Sequence, residues 1–198
     1  MVRCKVKNKL IAITGGIGSG KTSVSKVIKS LGYTVFSADE VYKELILDKK
    51  FVKKIYKVLD LKTTETTFNK DVVSKKVFEN NLYLKKLNKL THPVVMKTLI
   101  NKSKKVKGLV FNEVPLLFES GYEGLYDNVI VVLKNLNERI ELIKVRDNLT
   151  EVEIKSRINN QFNYENLNKD AYTIIDNNGD LESLSVKVRA VIEKFEKC

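Results

Sequence analysis

Apolar residues gather into five short runs along the 198-residue chain, at 10–14, 33–36, 109–114, 129–133 and 172–175. The first, Leu10-Ile11-Ala12-Ile13-Thr14, is apolar without a break, the pattern of a strand buried on both faces. Behind it Val24, Val27, Ile28 and Leu31 return at helical spacing, and Gly32 stands where a helix C-cap belongs. Helical patterns separate the later runs too. Strands alternating with helices predict right-handed βαβ connections and a mainly parallel, five-stranded sheet flanked by helices.

Two stretches interrupt the alternation. Between 40 and 107 no strand pattern appears; helical pairs such as Val41/Leu45, Phe51/Ile55/Leu59, Val73/Val77 and Leu84/Leu87/Leu90 dominate. That is too long for a simple crossover. It predicts a helical insertion over the C-terminal edge of the sheet, where ligands bind in such folds, and there it is expected to hold a second substrate. Within it His92-Pro93 carries the single histidine, and the proline is expected to interrupt or restart the helix. The second stretch, 136–170, is polar and charged, with Arg139, Arg146 and Arg157, which suits a mobile lid that brings arginines to phosphates. The expected division is therefore a core of 1–39, 108–135 and 171–198, an insertion at 40–107 and a lid at 136–170.

A net charge of +12 and a pI near 9.5 raise the question of nucleic acid. The charge is mostly lysine spread over helix faces, as in Lys49-Lys50, Lys53-Lys54, Lys75-Lys76 and Lys85-Lys86, a pattern of solvated surfaces, so no nucleic-acid partner is expected. The excess still attracts polyanionic small molecules such as nucleotides. With no bilayer-length apolar run and no signal-peptide pattern, the reading is a cytoplasmic protein without a membrane partner, expected to be a monomer. Cys4 and Cys198, at opposite ends, suit neither a disulfide framework nor a zinc site.

The chemistry starts at Gly15-Gly16-Ile17-Gly18-Ser19-Gly20-Lys21-Thr22, which fits the phosphate-binding pattern G-x-x-x-x-G-K-[ST] without a mismatch. A phosphate chain needs several backbone N–H groups converging on it, and a glycine-rich run can curl that tightly. Gly15, Gly16, Gly18, Ser19, Gly20, Lys21, Thr22 and Ser23 are thus the expected nucleotide contacts. Lys21 would place charge on the β- and γ-phosphates, and Thr22 would offer its hydroxyl to Mg²⁺ at the positive end of a helix. The dinucleotide pattern G-x-G-x-x-G fails, because its third glycine position holds Lys21.

Other candidates lie at strand ends. Asp39, after Ser37-Ala38, stands where a general base or a ligand to Mg²⁺-bound water is needed, or else caps the following helix. Glu113 closes the third strand where an acidic residue orders Mg²⁺, and Pro115 stops that strand. Thr150-x-x-Glu153 spells a capping box, which leaves Arg146 at a helix junction, either swinging onto a phosphate or held in a surface ion pair. Asp176-Asn177-Asn178-Gly179 is either a plain turn or, through Asn177, the rim of the adenine pocket.

In this order the motifs resemble the dephospho-coenzyme A kinase family. The resemblance rests on Ile13 to Thr22, Ala38-Asp39, His92-Pro93, Val114-Pro115-Leu116-Leu117-Phe118-Glu119, Arg146-Asp147, Arg157 with Gln161, and Ile175 to Gly179, and it covers nearly the whole chain. It implies a phosphate-loop NTPase fold with a nucleotide core, a helical acceptor-binding domain and a lid. It also implies transfer of the ATP γ-phosphoryl to the ribose 3′-hydroxyl of dephospho-CoA. By resemblance Asp39 is the base, Lys21 the phosphate lysine, Thr22 the Mg²⁺ hydroxyl and Arg146 a lid arginine; His92, Pro115, Leu116, Phe118 and Glu119 line the acceptor site.

Two positions depart from the family pattern. Ser37 stands where the family often has Asp, and Leu142 stands where it tends to place a second lid arginine. Either Arg139 compensates from a neighbouring turn or the lid makes fewer phosphate contacts. Rival readings are a nucleoside monophosphate or other small-molecule kinase, a nucleotide-dependent switch, for which no N-K-x-D guanine motif is present, and a nucleic-acid-dependent ATPase.

Overall fold

A computed structural model describes residues 8–62 and 66–197, so Cys4 and Cys198 lie outside the described residues. The five apolar runs are five strands: β1 (Lys9–Thr14), β2 (Thr34–Ser37), β3 (Leu109–Glu113), β4 (Asn128–Leu133) and β5 (Thr173–Asp176). They form one sheet in the order β2-β3-β1-β4-β5, and β1 runs parallel to both β3 and β4. The order reverses at β1, so a crevice opens at its C-terminal end, where a parallel sheet binds its ligand. Residues 15–20 turn there into α1 (Lys21–Ser30).

Period-two alternation decides which strand residues face α1. Ile11 and Ile13 of β1, Leu109 and Phe111 of β3, and Ile130 and Val132 of β4 pack with Val24, Val27 and Ile28 of α1. Leu184, Val188, Ile192 and Phe195 of α8 (Leu181–Lys197) close the same core. Glu113 follows Phe111 by two residues and therefore points to the α1 side, buried at 9% exposure. Truncating fully buried Phe111 to alanine would cost about 3–5 kcal/mol, enough to threaten the layer that carries the site. Helix α1 ends as the glycine signal predicts. Gly32 adopts φ +90°, its N–H donates to Lys29 O at 3.0 Å, and the Tyr33 N–H donates to Ile28 O at 3.3 Å.

Ser37–Lys102 forms a compact unit of its own. It holds α2 (Ala38–Leu45), α3 (Lys49–Val58), α4 (Lys70–Glu79) and most of α5 (Asn81–Ser103). Its core is Phe51, Val52, Ile55, Tyr56, Leu59, Val73 and Leu87, residues at the helical spacing seen in the sequence. Asp48 and Asn69 cap α3 and α4, and Tyr56 ties its hydroxyl to the loop before α4, donating to Thr67 O at 2.7 Å. The lysine doublets of this unit are exposed apart from half-buried Lys76.

The expected break at Pro93 does not occur, since α5 runs unbroken from Asn81 to Ser103 with Pro93 inside it. An interior proline costs about 3 kcal/mol through one lost backbone bond and ring crowding. The helix is anchored on both sides by burial, with Leu87 before the proline and Val95, Met96 and Leu99 after it, while Pro93 itself is exposed. That burial offsets the cost.

In the other unit, α6 (Leu136–Asp147) and α7 (Glu151–Asn159) form a helical hairpin with a small core of Ile140, Ile143 and Ile154. Asn148, at φ +52°, ends α6, and the predicted capping box opens α7, with Thr150 and Glu153 satisfying each other's backbone N–H groups. No helix among the described residues is long and apolar enough to cross a membrane.

Candidate active site

The phosphate loop takes the left-handed backbone that its glycines allow, with φ +77° at Gly18 and +91° at Gly20, the N-cap of α1. At Gly15 the requirement is also steric: a Cβ there would lie 2.3 Å from the Val132 carbonyl oxygen of β4. Gly16 and Gly18 press against α6. The Arg139 guanidinium comes within 2.6 Å of a Cβ built on Gly16, and Ile143 Cδ1 within 2.9 Å of one on Gly18. The glycine pattern thus serves packing against α6 and β4.

The Lys21 ammonium arches back over the loop, donating to Gly15 O at 2.8 Å and Gly16 O at 3.1 Å. Thr22 donates its hydroxyl to Glu113 Oε1 at 2.9 Å, and buried Ser25 donates to Glu113 Oε2 at 2.7 Å. Both carboxylate oxygens are therefore oriented, and the hydroxyl expected to meet Mg²⁺ touches the carboxylate expected to order it. The pair fits Mg²⁺, which keeps several waters and takes substrate phosphate oxygens, needing only one or two protein oxygens. Among the described residues no cluster of three or more His, Cys, Asp or Glu forms a protein-only metal cage. Ser25 did not stand out in the sequence, although its i+3 spacing from Thr22 puts both on one face of α1.

Three residues far along the chain brace the loop. Gln161 Oε1 accepts the Ile17 N–H at 2.7 Å, and Arg139 Nε donates to Ile17 O at 2.8 Å. The Ile17 side chain packs into the α6–α7 core. Asn177, buried beyond β5, donates its Nδ2 to Ser19 O at 2.9 Å, and its own carbonyl accepts from Lys134 Nζ at 2.6 Å. The predicted nucleotide residue Asn177 is thus in contact with the phosphate loop itself. Burial lowers the Arg139 pKa from its ordinary value.

Helical spacing sets Arg139, Ile143 and Arg146 on one face of α6, the first two lying on the loop. Arg146, at the exposed last turn, is paired with its neighbour Asp147 through Nε to Oδ1 at 2.7 Å and an Nη to Oδ2 at 2.8 Å. That hydrogen bond raises the Arg146 pKa and lowers that of Asp147. Leu142 is exposed, and Arg157 also faces solvent.

Past β3, Pro115 and Leu116 are half-buried, and Phe118 joins Phe162, Tyr164 and Tyr172 in an aromatic cluster with centroids 4.7–6.0 Å from Phe118. Glu119 Oε1 accepts the Phe162 N–H at 2.9 Å, and burial pushes the Tyr164 hydroxyl up to about 12. Next to this cluster a cavity of about 490 Å³ is lined by Lys134, Arg139, Gln161, Phe162, Tyr164 and Lys169, among others.

In the helical unit, Asp39 is exposed in the first turn of α2, two residues past β2. The N-cap is Ser37, whose side chain makes no capping bond, so Asp39 does not occupy the capping position. Its carboxylate suits the positive end of α2 all the same. His92 is half-buried in α5, and burial lowers its pKa from the ordinary 6.5.

A sequence profile of dephospho-CoA kinase matches residues 9–183. The chain belongs to the dephospho-CoA kinase family. A dephospho-CoA kinase of Fusobacterium nucleatum is 37% identical over 93% of this chain and 97% of its own length. Among solved structures, a Thermus thermophilus protein superposes with a TM-score of 0.80 at 30% identity, covering 94% of this chain and 97% of that one. A dephospho-CoA kinase of Campylobacter jejuni does so at 0.70 and 28%, covering 96% and 98%. The family resemblance seen in the motifs thus extends through the fold, and the chain is a kinase of the phosphate-loop class.

Proposed function

We propose that this member of the dephospho-CoA kinase family transfers the γ-phosphoryl group of ATP to the ribose 3′-hydroxyl of dephospho-CoA, giving coenzyme A and ADP in the last step of coenzyme A synthesis. The observation that carries the reading is the joined set of Lys21, Thr22 and Glu113 at the phosphate loop of a chain whose family profile spans 9–183. The transition state of phosphoryl transfer is loose, so the protein's work is alignment and charge balance. The loop N–H groups and Lys21 hold the β- and γ-phosphates, and Lys21 balances the charge that gathers on the bridging oxygen as the bond to phosphorus breaks. Thr22 and Glu113 would hold Mg²⁺ at the loop, where it would supply positive charge to the phosphates. Asp39 orients the acceptor hydroxyl and takes its proton as the new O–P bond forms.

In the same reading, Arg146 leaves Asp147 for the phosphates when 136–170 acts as a lid. The insertion at 40–107 binds dephospho-CoA, with His92 and the Pro115, Leu116, Phe118 and Glu119 segment along the acceptor. The core of 1–39, 108–135 and 171–198 binds ATP, Asn177 serving at the nucleotide edge. The protein works as a cytoplasmic monomer with no nucleic-acid partner. Regiochemistry tests the reading: the product should gain one phosphate by mass and lose it to a 3′-nucleotidase. Phosphate that a 3′-nucleotidase leaves in place would contradict it.

A further inference from the structure

The backbone of Ile17 is gripped from both sides by one structural element. Its N–H is taken by Gln161, just past α7, its carbonyl by Arg139 of α6, and its side chain packs against the α6–α7 core of Ile140, Ile143 and Ile154. A phosphate loop works by aiming several N–H groups at one point, and the aim of each depends on the peptide planes before and after it. Fixing the Ile17 peptide on both sides constrains Gly16 and Gly18, the two glycines on which Arg139 and Ile143 lie. The Ile17 N–H itself is diverted from the phosphate set and committed to Gln161.

We propose that Gln161 is a positioning residue for nucleotide binding: through Ile17 it holds the phosphate loop in its binding shape and couples that shape to the docking of the α6–α7 hairpin. This rests on the kinase reading above. Gln161 touches no reacting atom, so its contribution is pre-organisation, which removes part of the ordering cost of binding. Such a contribution is felt equally by the bound ground state and the transition state, so it enters KM for ATP and the affinity for ADP and leaves kcat nearly untouched. Arg139 forms the other half of the grip, but it also carries a charge beside the loop. Gln161 is uncharged and isolates the positioning role.

The test is Gln161→Met, which keeps length and bulk and removes the acceptor. KM for ATP and the Kd of Mg·ADP, read by calorimetry, should both rise about three- to tenfold, the range of one net hydrogen bond, while kcat at saturating ATP changes less than about twofold. In the wild-type protein without nucleotide, the Ile17 amide should exchange slowly with solvent, a readout that does not depend on the variant folding. Unchanged ATP and ADP affinities, or activity that falls only in proportion to lost folded protein with KM intact, would overturn the proposal, as would rapid exchange of the Ile17 amide. Wild-type protein that fails to bind Mg·ADP sinks the kinase reading and this inference with it. Binding by wild type and variant alike sinks the inference alone.

Discussion

The phosphate loop is held by contacts arriving from far along the chain, from Gln161, Arg139 and Asn177, whereas Asp39 and His92 ride on helices ordered by apolar packing within Ser37–Lys102. In the first region distant side chains grip the backbone itself, and even its glycines are packing partners of Arg139, Ile143 and Val132. In the second, regular helices present individual side chains, and a side chain can change without disturbing its scaffold. Loop changes should therefore mix chemistry, nucleotide affinity and stability, and changes on the helical unit should resolve them.

The largest expected effects probe each region's central charge. Lys21→Ala should lower turnover by about a hundredfold or more, because it removes the cation proposed to balance phosphate charge in the transition state. Steady-state kinetics check this, and activity within a few-fold of wild type would show that the loop is not the phosphate site. Asp39→Asn should lower kcat on the order of a hundredfold while ATP affinity and Tm barely move, since Asp39 is exposed and does not occupy the N-cap. Ser37→Ala is the mild control. Near-normal turnover in Asp39→Asn would move the role of base elsewhere, with Glu113 the next carboxylate to change.

Smaller effects are expected where only steric fit changes. Gly15→Ala places a Cβ 2.3 Å from the Val132 carbonyl oxygen, at a backbone angle that L-residues rarely adopt. A backbone neighbour cannot swing away, and a loss of about 2–3 kcal/mol in urea unfolding is expected, together with loss of nucleotide binding. Gly32→Ala meets nothing within 4 Å and bears only the cost of its φ of +90°, about 1 kcal/mol, with kinetics unchanged. Equal losses for the two would show that the contact with β4 contributes nothing.

How much of this was legible in the sequence depends on whether a feature is local. Strand runs, the Gly32 cap, the Thr150–Glu153 box and the phosphate loop are short-range patterns, and each lies where its spacing indicates. Alternation along β3 even aims Glu113 at α1, although naming Ser25 needed the helix face to be read as well. The grip on Ile17 joins residues 144 apart in sequence, and no periodicity links them. Proline at 93 misled for the opposite reason: the local rule is sound, but burial on both sides of it, at Leu87 and at Val95 to Leu99, outweighs the local cost. The ion pair of Arg146 with Asp147 was one of two local alternatives, and chain-local reasoning offered no ground for choosing.

The smallest expected effect is one of pH. Because burial lowers the pKa of His92, the folded protein takes up that proton less readily than the unfolded chain. Stability should therefore fall as pH drops below the ordinary histidine value towards the lowered folded one, and His92→Gln should remove that part of the fall. Urea midpoints at pH 7.5 and 5.5 check it, and an equal or larger drop in the variant would contradict the burial of the ring.

The central claim is that a phosphate-loop kinase acts here on dephospho-CoA, and one coupled ADP-release assay addresses it most directly. Dephospho-CoA, AMP, CMP, shikimate and no acceptor are compared side by side with ATP and Mg²⁺. ADP release should depend on dephospho-CoA and on Mg²⁺, with the other acceptors near the blank. Equal turnover with AMP, or equal release with no acceptor at all, would contradict it.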